Sequence, residues 1–401
     1  MTQEIMKKPR PELRFKGFTD DWAQRQFAQL ANCISETGNS STLPWVEYGD
    51  IDNTTNALNK DITKRAGVKS GIVFQPGDVL FGKLRPYLRN YLLANFRGVA
   101  VGDFWVLRPS NGESLFLYAL IQTERYLFAA NHCAGSKMPR SDWKFVSNAA
   151  FRIPSTIEQQ RIGDFFRTLD NLIVAAERKV ELLKRRKKAY LRRIFNQELR
   201  FKADDGSAFS EWEEKTLGDL GRLGNGYAFK SDSYVPHGKY RVITIANVQG
   251  ERYVTELERA NTVNQIPDNI ASWQILKESD ILISLTGNIG RVSLNTGCDN
   301  LLNQRVGLFE VFSPISDRQW VFQRLSANDF RNAMEGAGQG AAQKNISRGD
   351  VESFPLSVPS LPEQRKIAAC LNAMDDLISA AEHRVELLQK RKQGYMQRMF
   401  V

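Results

Sequence analysis

Basic side chains gather in loops between predicted strands, where they could be presented to a polyanion. In the first half of the chain, Tyr87 and Tyr91 alternate with cationic residues, and a second basic stretch follows Gly135. Arginine and lysine in glycine-containing loops can reach phosphates and guanine edges, so these residues are candidate DNA contacts. Singly, each could equally be an ordinary solvated surface charge. The candidates are Lys83, Arg85, Arg89, Lys137, Arg140, Arg291, Arg305, Lys344 and Arg348.

The residue pattern gives no comparable support for catalysis. No Gly-x-x-x-x-Gly-Lys-Ser/Thr loop for ATP is present, and the glycines at 221, 224 and 226 fit a turn better than a cofactor loop. The three histidines and four cysteines lack metal-ligand spacing. The absence of any Pro-Pro dipeptide excludes the Asn/Asp-Pro-Pro-aromatic loop of adenine-N6 methyltransferases. We therefore expect a binding protein with no catalytic residues, no bound cofactor and no metal.

Composition and charge agree with a nucleic-acid-binding protein of several domains. The chain has 401 residues, enough for two to four domains, and a net charge of +10. That charge favours a polyanionic partner, either nucleic acid or an anionic membrane surface. No apolar run reaches the ~18 residues of a membrane span. Residues 1–11 lack the apolar core of a signal peptide, so we expect a cytoplasmic protein.

The elements that must position the basic loops occur twice in the chain. The segment Pro-Ser-Thr-Ile-Glu-Gln at 154–159 returns as Pro-Ser-Leu-Pro-Glu-Gln at 359–364, about 205 positions later. The offset then holds without a gap over roughly 40 residues, and about half of the positions are identical. A match of this kind indicates a duplication, so we expect a molecule with two corresponding halves.

Each copy of the repeated segment predicts a long helix, at about 156–195 and about 361–400. Apolar residues recur in alternating steps of four and three, which is a heptad seam, and polar residues occupy the other positions. An exposed seam of this length would be a large apolar stripe, so we expect the two seams to bury each other. The seam residues are Ile162, Phe166, Leu169, Ile173, Ala176, Val180, Leu183, Tyr190 and Ile194, then Ile367, Leu371, Met374, Ile378, Ala381, Val385, Leu388, Tyr395 and Met399.

The seam has one polar interruption at the same place in each copy. Lys187 and Lys392 occupy this position. One hypothesis is that each lysine fixes the register of helix pairing; the alternative is that each extends its ammonium group to water. The basic run at 184–188 fits a solvated helix face, or a contact for an acidic partner, better than a reader of bases.

Both helices begin with the same local pattern. Ser155 with Glu158, and Ser360 with Glu363, match the capping box Ser-x-x-Glu. In such a box the serine oxygen accepts the N–H of the glutamate, and the glutamate side chain accepts the N–H of the serine. We therefore expect each glutamate to bond back to the start of its own helix.

Between the helices lie two globular segments with little identity but a similar order of predicted elements. Each follows a Glu-Leu-Arg-Phe-Lys motif, at 12–16 and 198–202, and a tryptophan, Trp22 or Trp212. Each is predicted to contain short strands and then an amphipathic helix, at about 113–130 and 317–334. The predicted map is an N-terminal segment 1–21, a globular domain 22–153, a helix 154–196, a linker 197–211, a globular domain 212–358 and a helix 359–401.

This layout resembles the specificity subunit of a type I restriction–modification system (HsdS). The duplicated helix with Glu-Gln at its start carries the resemblance, together with the segments 75–80 and 224–231, and it covers essentially the whole chain. It implies an α+β fold in which two globular target-recognition domains are joined by two long antiparallel helices forming a coiled coil, with pseudo-two-fold symmetry. Each domain would read one half of a bipartite, asymmetric site on double-stranded DNA, and the length of the helix pair would set the spacing.

The same resemblance implies partners that carry the chemistry. Two methyltransferase (modification) subunits would surround one such chain, and two restriction–translocase subunits would complete the nuclease. S-adenosylmethionine, ATP and Mg would then bind to the partner subunits. Two other hypotheses stay open: a stand-alone sequence-specific DNA-binding regulator, and a coiled-coil adaptor with no role in nucleic-acid binding.

Overall fold

The computed structural model describes residues 10–53, 55–62, 67–110, 113–134, 137–338 and 345–401. The chain divides into two compact units. We call residues 1–179 with 381–401 unit 1, and residues 180–380 unit 2. Each unit has a globular part of mixed strands and helices. Each long helix is divided between the units, so this division does not test the predicted domain boundaries, which stay predictions. None of the helices in the described ranges combines the length and the apolar composition that a membrane span requires.

Unit 1 is built mainly of short strands. Its strands are β1 (Ala23–Gln26), β2 (Ala31–Ile34), β3 (Thr37–Asn39), β4 (Trp45–Val46), β5 (Ile51–Asp52), β6 (Ala57–Leu58), β7 (Ser70–Phe74), β8 (Val79–Gly82), β9 (Tyr91–Leu93), β10 (Gly98–Ala100), β11 (Phe104–Pro109), β12 (Cys133–Ala134), β13 (Arg140–Ser141) and β14 (Ala150–Ile153). Its helices are α1 (Ser114–Leu120), α2 (Glu124–Ala130), α3 (Trp143–Asn148) and α4 (Thr156–Phe195), which continues into unit 2.

Two four-stranded sheets form the framework of unit 1. One has the antiparallel order β2-β11-β8-β9, and the other has the order β3-β7-β10-β4 with a single parallel pair, β10 with β4. Strand β8 is buried on both faces. Its Val79 and Phe81 pack with residues of α1 and α2, whereas Leu80 packs with the second sheet. This alternation follows from the two-residue period of a strand, and it explains why β8 is apolar throughout.

Unit 2 repeats this framework with different residues. Its strands are β15 (Glu213–Thr216), β16 (Gly221–Asn225), β17 (Tyr240–Ile243), β18 (Asn261–Val263), β19 (Ile275–Leu276), β20 (Ile281–Ser284), β21 (Val292–Leu294), β22 (Asn300–Leu302), β23 (Val306–Val311) and β24 (Pro355–Val358). Its helices are α5 (Arg318–Leu325), α6 (Asn328–Ala337), α7 (Arg348–Glu352) and α8 (Leu361–Met399), which continues into unit 1.

The sheet orders show how closely the two globular parts correspond. The antiparallel sheet β16-β23-β20-β21 matches β2-β11-β8-β9, and a second sheet has the order β18-β17-β22-β19. In each repeat, the strand after the motif tryptophan pairs with the strand just before the long helix: β1 with β14, and β15 with β24. The first and last strands of each globular part are therefore joined beside the helix start.

The long helices form as predicted, at Thr156–Phe195 and Leu361–Met399. Within unit 1, the beginning of α4 packs against the end of α8, and the rings of Phe165 and Tyr395 lie 5.1 Å apart. Within unit 2, the end of α4 packs against the beginning of α8, where Ile194 and Leu371 share one buried cluster. Each unit therefore holds an antiparallel pair of helix segments.

Most of the predicted seam lies inside these helix pairs. Tyr190 departs from it, because its side chain is 39% exposed while the neighbouring Leu191 is buried. An α-helix drifts by about 20° per heptad from a strict seven-residue repeat, so Leu191 takes the buried position in place of Tyr190, although Ile194 stays in the seam and is buried. The buried seam residues are Ile162, Phe166, Leu169, Ile173, Val180, Ile194, Ile367, Leu371, Ile378, Ala381 and Met399. The half-buried ones are Ala176, Leu183, Met374, Val385, Leu388 and Tyr395.

The predicted capping box is half formed at the start of α4 and is wrong at the start of α8. Ser155 Oγ does accept the N–H of Glu158, at 3.4 Å, but Ser360 Oγ is buried with no partner in the described part of the chain. The carboxylates of Glu158 and Glu363 are buried, and they accept hydrogen bonds from an arginine and a tryptophan of the preceding globular part. A tertiary ion pair has therefore replaced the local bond.

Several predicted elements are shorter in the structure. The helix expected over 113–130 is two helices, α1 and α2, and the one expected over 317–334 is α5 and α6. Thr123 explains the first break, because its Oγ1 accepts the N–H of Tyr126 and starts α2 as a new helix. Gly102, whose φ is 101°, makes a turn that separates β10 from β11.

Candidate nucleic-acid interface

The loop after β8 is held by two other segments of unit 1. The N–H of Lys83 donates to the carbonyl of Asp103 at 2.8 Å, and the carbonyl of Lys83 accepts the N–H of Ser141 at 2.9 Å. The N–H of Arg85 donates to the carbonyl of Pro139 at 2.8 Å. Three segments that are distant in sequence therefore meet at one place. We call this place the unit 1 junction; it comprises residues 83–85, 102–103 and 137–141.

A half-buried tyrosine holds the junction through its hydroxyl group. The hydroxyl of Tyr48 donates to the carbonyl of Asp103 at 2.6 Å and accepts the N–H of Leu84 at 3.1 Å. Burial raises the pKa of Tyr48 to about 12, so the hydroxyl keeps its proton near neutral pH. No spacing in the sequence connects residue 48 with residues 84 and 103, and Tyr48 was not predicted to belong to the site.

The side chains of the unit 1 junction surround a single carboxylate. Arg140 donates to Asp103 Oδ2 from Nε at 3.1 Å and from Nη2 at 3.0 Å, and Lys83 Nζ lies 3.9 Å from Oδ1. These hydrogen bonds raise the pKa of Arg140. The side chains of Arg85 and Lys137 are exposed and have no hydrogen-bond or ion-pair partner among the described residues. The junction thus contains four cationic side chains and one carboxylate, and the net positive charge suits contact with phosphates.

Arg89 is not part of this cluster. It lies at the far end of the same loop, where its Nη2 is 3.1 Å from Glu124 Oε1 at the start of α2. Between the two ends of the loop, Tyr87 is 56% exposed, whereas Tyr91 is buried in β9. Of the aromatic residues interleaved with the basic ones in the sequence, only Tyr87 is available to a ligand.

Unit 2 has a junction with the same backbone connections. The N–H of Leu285, after β20, donates to the carbonyl of Arg305 at 3.0 Å, and the carbonyl of Leu285 accepts the N–H of Ile346 at 3.0 Å. Thr286 bridges to Asn345, as Leu84 bridges to Arg140 in unit 1. We call residues 285–287, 304–305 and 345–346 the unit 2 junction.

The two junctions differ in the charge at their centre. Arg305 corresponds to Asp103. The carbonyl of Asp103 accepts the N–H of the residue that follows β8, and the carbonyl of Arg305 accepts the N–H of the residue that follows β20. The guanidinium of Arg305 is exposed and has no hydrogen-bond or ion-pair partner among the described residues, and Gln304 beside it is exposed too. Asn345 takes the place of Arg140. The same framework therefore presents a carboxylate with its arginine in one unit and a free guanidinium in the other.

The remaining candidates in unit 2 have other positions. Arg291 is half-buried, and its guanidinium donates to Gln249 Oε1 on a neighbouring loop. Arg348 is the first residue of α7, and its Nε donates to Glu352 at 2.7 Å. Lys344 lies outside the described residues. Of the four candidates of this unit, the structure thus places only Arg305 at the junction.

No metal site accompanies either junction among the described residues: they contain no cluster of three or more His, Cys, Asp or Glu side chains that could hold an ion. What the junctions offer is hydrogen-bond donors. Guanidinium groups can bond two acceptors at once, which matches phosphate oxygens and the O6/N7 edge of guanine.

The chain is similar to proteins of known families over almost its whole length. The family described as type I restriction modification DNA specificity domain matches it twice, at residues 23–184 and 209–389. A type I restriction enzyme MjaVIII specificity subunit from Methanocaldococcus jannaschii is 25% identical over 298 residues, which are 71% of this chain and 68% of that protein. A putative type I restriction enzyme MjaX specificity subunit from the same organism is 27% identical over 323 residues, 78% of this chain and 67% of that protein.

Solved structures show a similar fold. The S subunit of a type I restriction-modification system from M. genitalium has a TM-score of 0.60 at 14% identity, and the match covers 98% of this chain and 99% of that one. A chain from a type I R-M system complex has a TM-score of 0.53 at 17% identity, covering 94% of this chain and 96% of that one. These structural likenesses concern the fold alone.

Proposed function

This chain belongs to the type I restriction modification DNA specificity domain family and is a specificity subunit, and we propose that it recognises a bipartite, asymmetric DNA site, with one half read by each repeat. Its role is recognition rather than catalysis. The family model matches each repeat separately, so each half of the chain has its own recognition domain. Two different domains on one chain would select two different half-sites.

The observation that carries this proposal is the contrast between the two junctions. Both have the same backbone hydrogen bonds, yet Asp103 with Arg140 occupies one and Arg305 with Asn345 occupies the other. The two junctions share backbone hydrogen bonds but differ in their exposed polar side chains. This is expected of two domains that recognise different DNA sequences. In unit 1 the carboxylate orients Arg140, and in unit 2 the guanidinium of Arg305 is free to meet a base edge or a phosphate.

We further propose that two methyltransferase subunits and, in the full nuclease, two restriction subunits assemble with one copy of this chain. Exposed leucines on the long helices support a partner present in two copies, because each leucine has a counterpart at the corresponding position of the other long helix. Leu172 of α4 corresponds to Leu377 of α8, and Leu182 corresponds to Leu387; these four are 43–59% exposed. S-adenosylmethionine, ATP and Mg would bind to those partners, whose modification chemistry would be adenine-N6 methylation. Native mass spectrometry of the co-expressed subunits measures the stoichiometry.

The proposed bipartite reading is tested by exchanging one recognition domain. Residues 212–358 are replaced with the corresponding segment of a relative, and the methylated sequences are determined in cells that carry the chimera and its partner subunits. We expect only one half of the methylated sequence to change. Exchange of residues 22–153 is the matched control and should change only the other half. A change in both halves after either exchange would contradict the proposal.

DNA binding measured with and without the modification subunits distinguishes this function from that of a stand-alone regulator. A regulator would bind its site tightly and specifically without a methyltransferase subunit. We expect instead that site-specific protection of DNA appears only when the modification subunits are added.

A further inference from the structure

The long helices contain two buried ion pairs that correspond to each other through the duplication. In unit 2, Lys187 Nζ of α4 lies 2.6 Å from Asp375 Oδ1 of α8. In unit 1, Lys392 Nζ of α8 lies 2.7 Å from Asp170 Oδ1 of α4. Lys187 corresponds to Lys392, and Asp170 corresponds to Asp375, at the same offset of about 205 residues. Each helix therefore supplies one lysine and one aspartate, and each lysine meets the aspartate of the other helix.

A glutamine from the globular part completes each pair. In unit 2, Gln323 of α5 donates from Nε2 to Asp375 Oδ2 at 2.7 Å. In unit 1, Lys392 Nζ donates to Gln122 Oε1, just after α1, at 2.7 Å. One charged group of each pair, Asp375 or Lys392, thus has a second polar partner, which helps to offset its burial.

The ion pairs are largely removed from water. The side chains of Lys187 and Asp375 are 14% and 8% exposed, and those of Lys392 and Asp170 are 20% and 23% exposed. Burial lowers the pKa of Lys187 and raises the pKa of Asp170, since each charged form has lost solvent. Of the two hypotheses for the seam lysines, an ammonium group extended to water does not fit either unit.

A parallel arrangement of the duplicated helices would bring like charges together. Because the two helices have the same polar positions, aligning them in the same direction and register would set Lys187 against Lys392 and Asp170 against Asp375. Like charges at facing seam positions disfavour pairing. The antiparallel arrangement is the one that gives each cation an anion.

A displaced antiparallel register would leave the aspartates without their lysine counter-ions. A slip by one heptad, in one direction or the other, moves Asp375 opposite Val180 or Ile194. The same slip moves Asp170 opposite Val385 or Met399. In every case a buried carboxylate would face an apolar side chain and lose its counter-ion, whereas the surrounding leucine, isoleucine and valine residues would pack acceptably in several registers.

We propose that Lys187 with Asp375, and Lys392 with Asp170, are positioning residues that select the antiparallel direction and the register of the helix pair. Buried ion pairs often add little stability relative to apolar residues of similar size, and their value here is the penalty that they impose on every other alignment. Any effect on the spacing of the two DNA half-sites rests additionally on the proposed function.

The register is measured by disulfide formation in the full chain with its four native cysteines replaced by serine. Glu177 Oε1 accepts a hydrogen bond from Gln389 at 3.2 Å, so Glu177→Cys with Gln389→Cys reports the native register. Glu177→Cys with Glu382→Cys, and Glu177→Cys with Met396→Cys, report the two one-heptad slips. Each cysteine pair is introduced into three backgrounds: the unaltered helices, a charge-exchanged variant (K187D, D375K, K392D, D170K) and an apolar variant (K187L, D375L, K392L, D170L).

In the unaltered and charge-exchanged backgrounds, we expect the native pair to cross-link more than about tenfold faster than either slipped pair. In the apolar background, we expect this preference to fall below about threefold while the thermal midpoint stays within a few degrees or rises. An apolar variant with the unaltered preference, or a charge-exchanged variant that loses it, would overturn the proposal. If the four-site apolar variant does not fold, K187L with D375L alone is measured against the same criteria.

A second measurement separates this inference from the proposed function. The methylated sites of the assembled complex are sequenced for the apolar variant, where a loosened register should add sites with altered spacing. A lost cross-linking preference with unchanged spacing would count against the helices as the determinant of spacing, and the register proposal would stand.

Discussion

The indole N–H of Trp212 donates to the buried carboxylate of Glu363 at 3.0 Å, across 151 residues of sequence. Arg200 bonds the same carboxylate, at 3.3 Å from Nε and 3.0 Å from Nη2. Unit 1 repeats the arrangement with Arg14, Trp22 and Glu158. The arginine and tryptophan that open each globular part are therefore bound to the glutamate in the first turn of the long helix that follows it. A carboxylate at this end of a helix also interacts favourably with the helix dipole.

Glu363→Ala should destabilise unit 2 by about 3 kcal/mol, because Arg200 and the Trp212 indole N–H lose their buried acceptor. Calorimetry and urea unfolding measure the change. Arg365→Ala, an exposed change on the same helical turn, is the control and should alter stability by less than about 0.5 kcal/mol. Equal effects of the two substitutions would show that the carboxylate does not hold the globular part to the helix.

Leu371→Asp should disrupt the helix pair of unit 2, since Leu371 is 0% exposed in the buried cluster of that unit. We expect a loss of more than about 3 kcal/mol, from the lost packing and the burial of a carboxylate without a partner. Leu377→Asp lies on the same helix at 59% exposure and should be nearly neutral. Leu183→Asp and Leu388→Asp should give intermediate losses, because both residues are half-buried. Thermal unfolding of the purified variants would refute this packing if Leu371→Asp behaved like Leu377→Asp.

Arg305→Ala should weaken binding of the assembled complex to its DNA site by about 1–3 kcal/mol, as expected for a guanidinium that contacts a base or a phosphate. Fluorescence anisotropy at several salt concentrations distinguishes the two contacts. Loss of a phosphate contact lowers the salt slope by about 1, whereas loss of a base contact relaxes sequence preference. Arg348→Ala removes the same charge from a side chain already paired with Glu352, and it should have the smaller effect. Equal losses would indicate a general effect of net charge.

Asp103→Asn should raise the affinity of the complex for unrelated DNA by several-fold and lower discrimination for the unit 1 half-site. The substitution removes the only negative charge of the unit 1 junction and replaces the two charge-assisted hydrogen bonds of Arg140 with weaker bonds to a neutral amide. Competition binding with specific and random duplexes measures both changes. Asp142→Asn, beside the junction in the cap of α3, is the matched control for the lost charge. Unchanged discrimination would show that Asp103 has no part in recognition.

The long helices were predictable because their signal is local and repeated. A heptad seam and a gapless duplication gave bounds that agree with α4 and α8 to within one residue. Glu158 and Glu363 show the limit of local reasoning. The pattern Ser-x-x-Glu predicts a bond within the helix, yet each carboxylate is bound by residues more than 130 positions away. A tertiary contact to arginine is stronger than a bond to one backbone N–H, and no rule based on local residue spacing predicts such a contact.

The junctions were only partly predictable, for a similar reason. Lys83, Arg85, Lys137 and Arg140 stand together because strand pairing brings their loops together, and the basic clusters in the sequence pointed to them. Asp103 was missed, although the Gly-Asp turn before a strand was a local signal for an exposed carboxylate. Nothing in the sequence alone aligns Asp103 with Arg305, because the two globular parts share little identity and only their backbone hydrogen bonds reveal the correspondence.

The central claim is that each unit reads its own half of one DNA site, and methylated-site sequencing of the Asp103→Asn and Arg305→Ala complexes tests it most directly. The account predicts that the first substitution changes the accepted sequence in one half only and that the second changes it in the other half only. If both substitutions altered the same half, or if either altered both halves, the account would be contradicted.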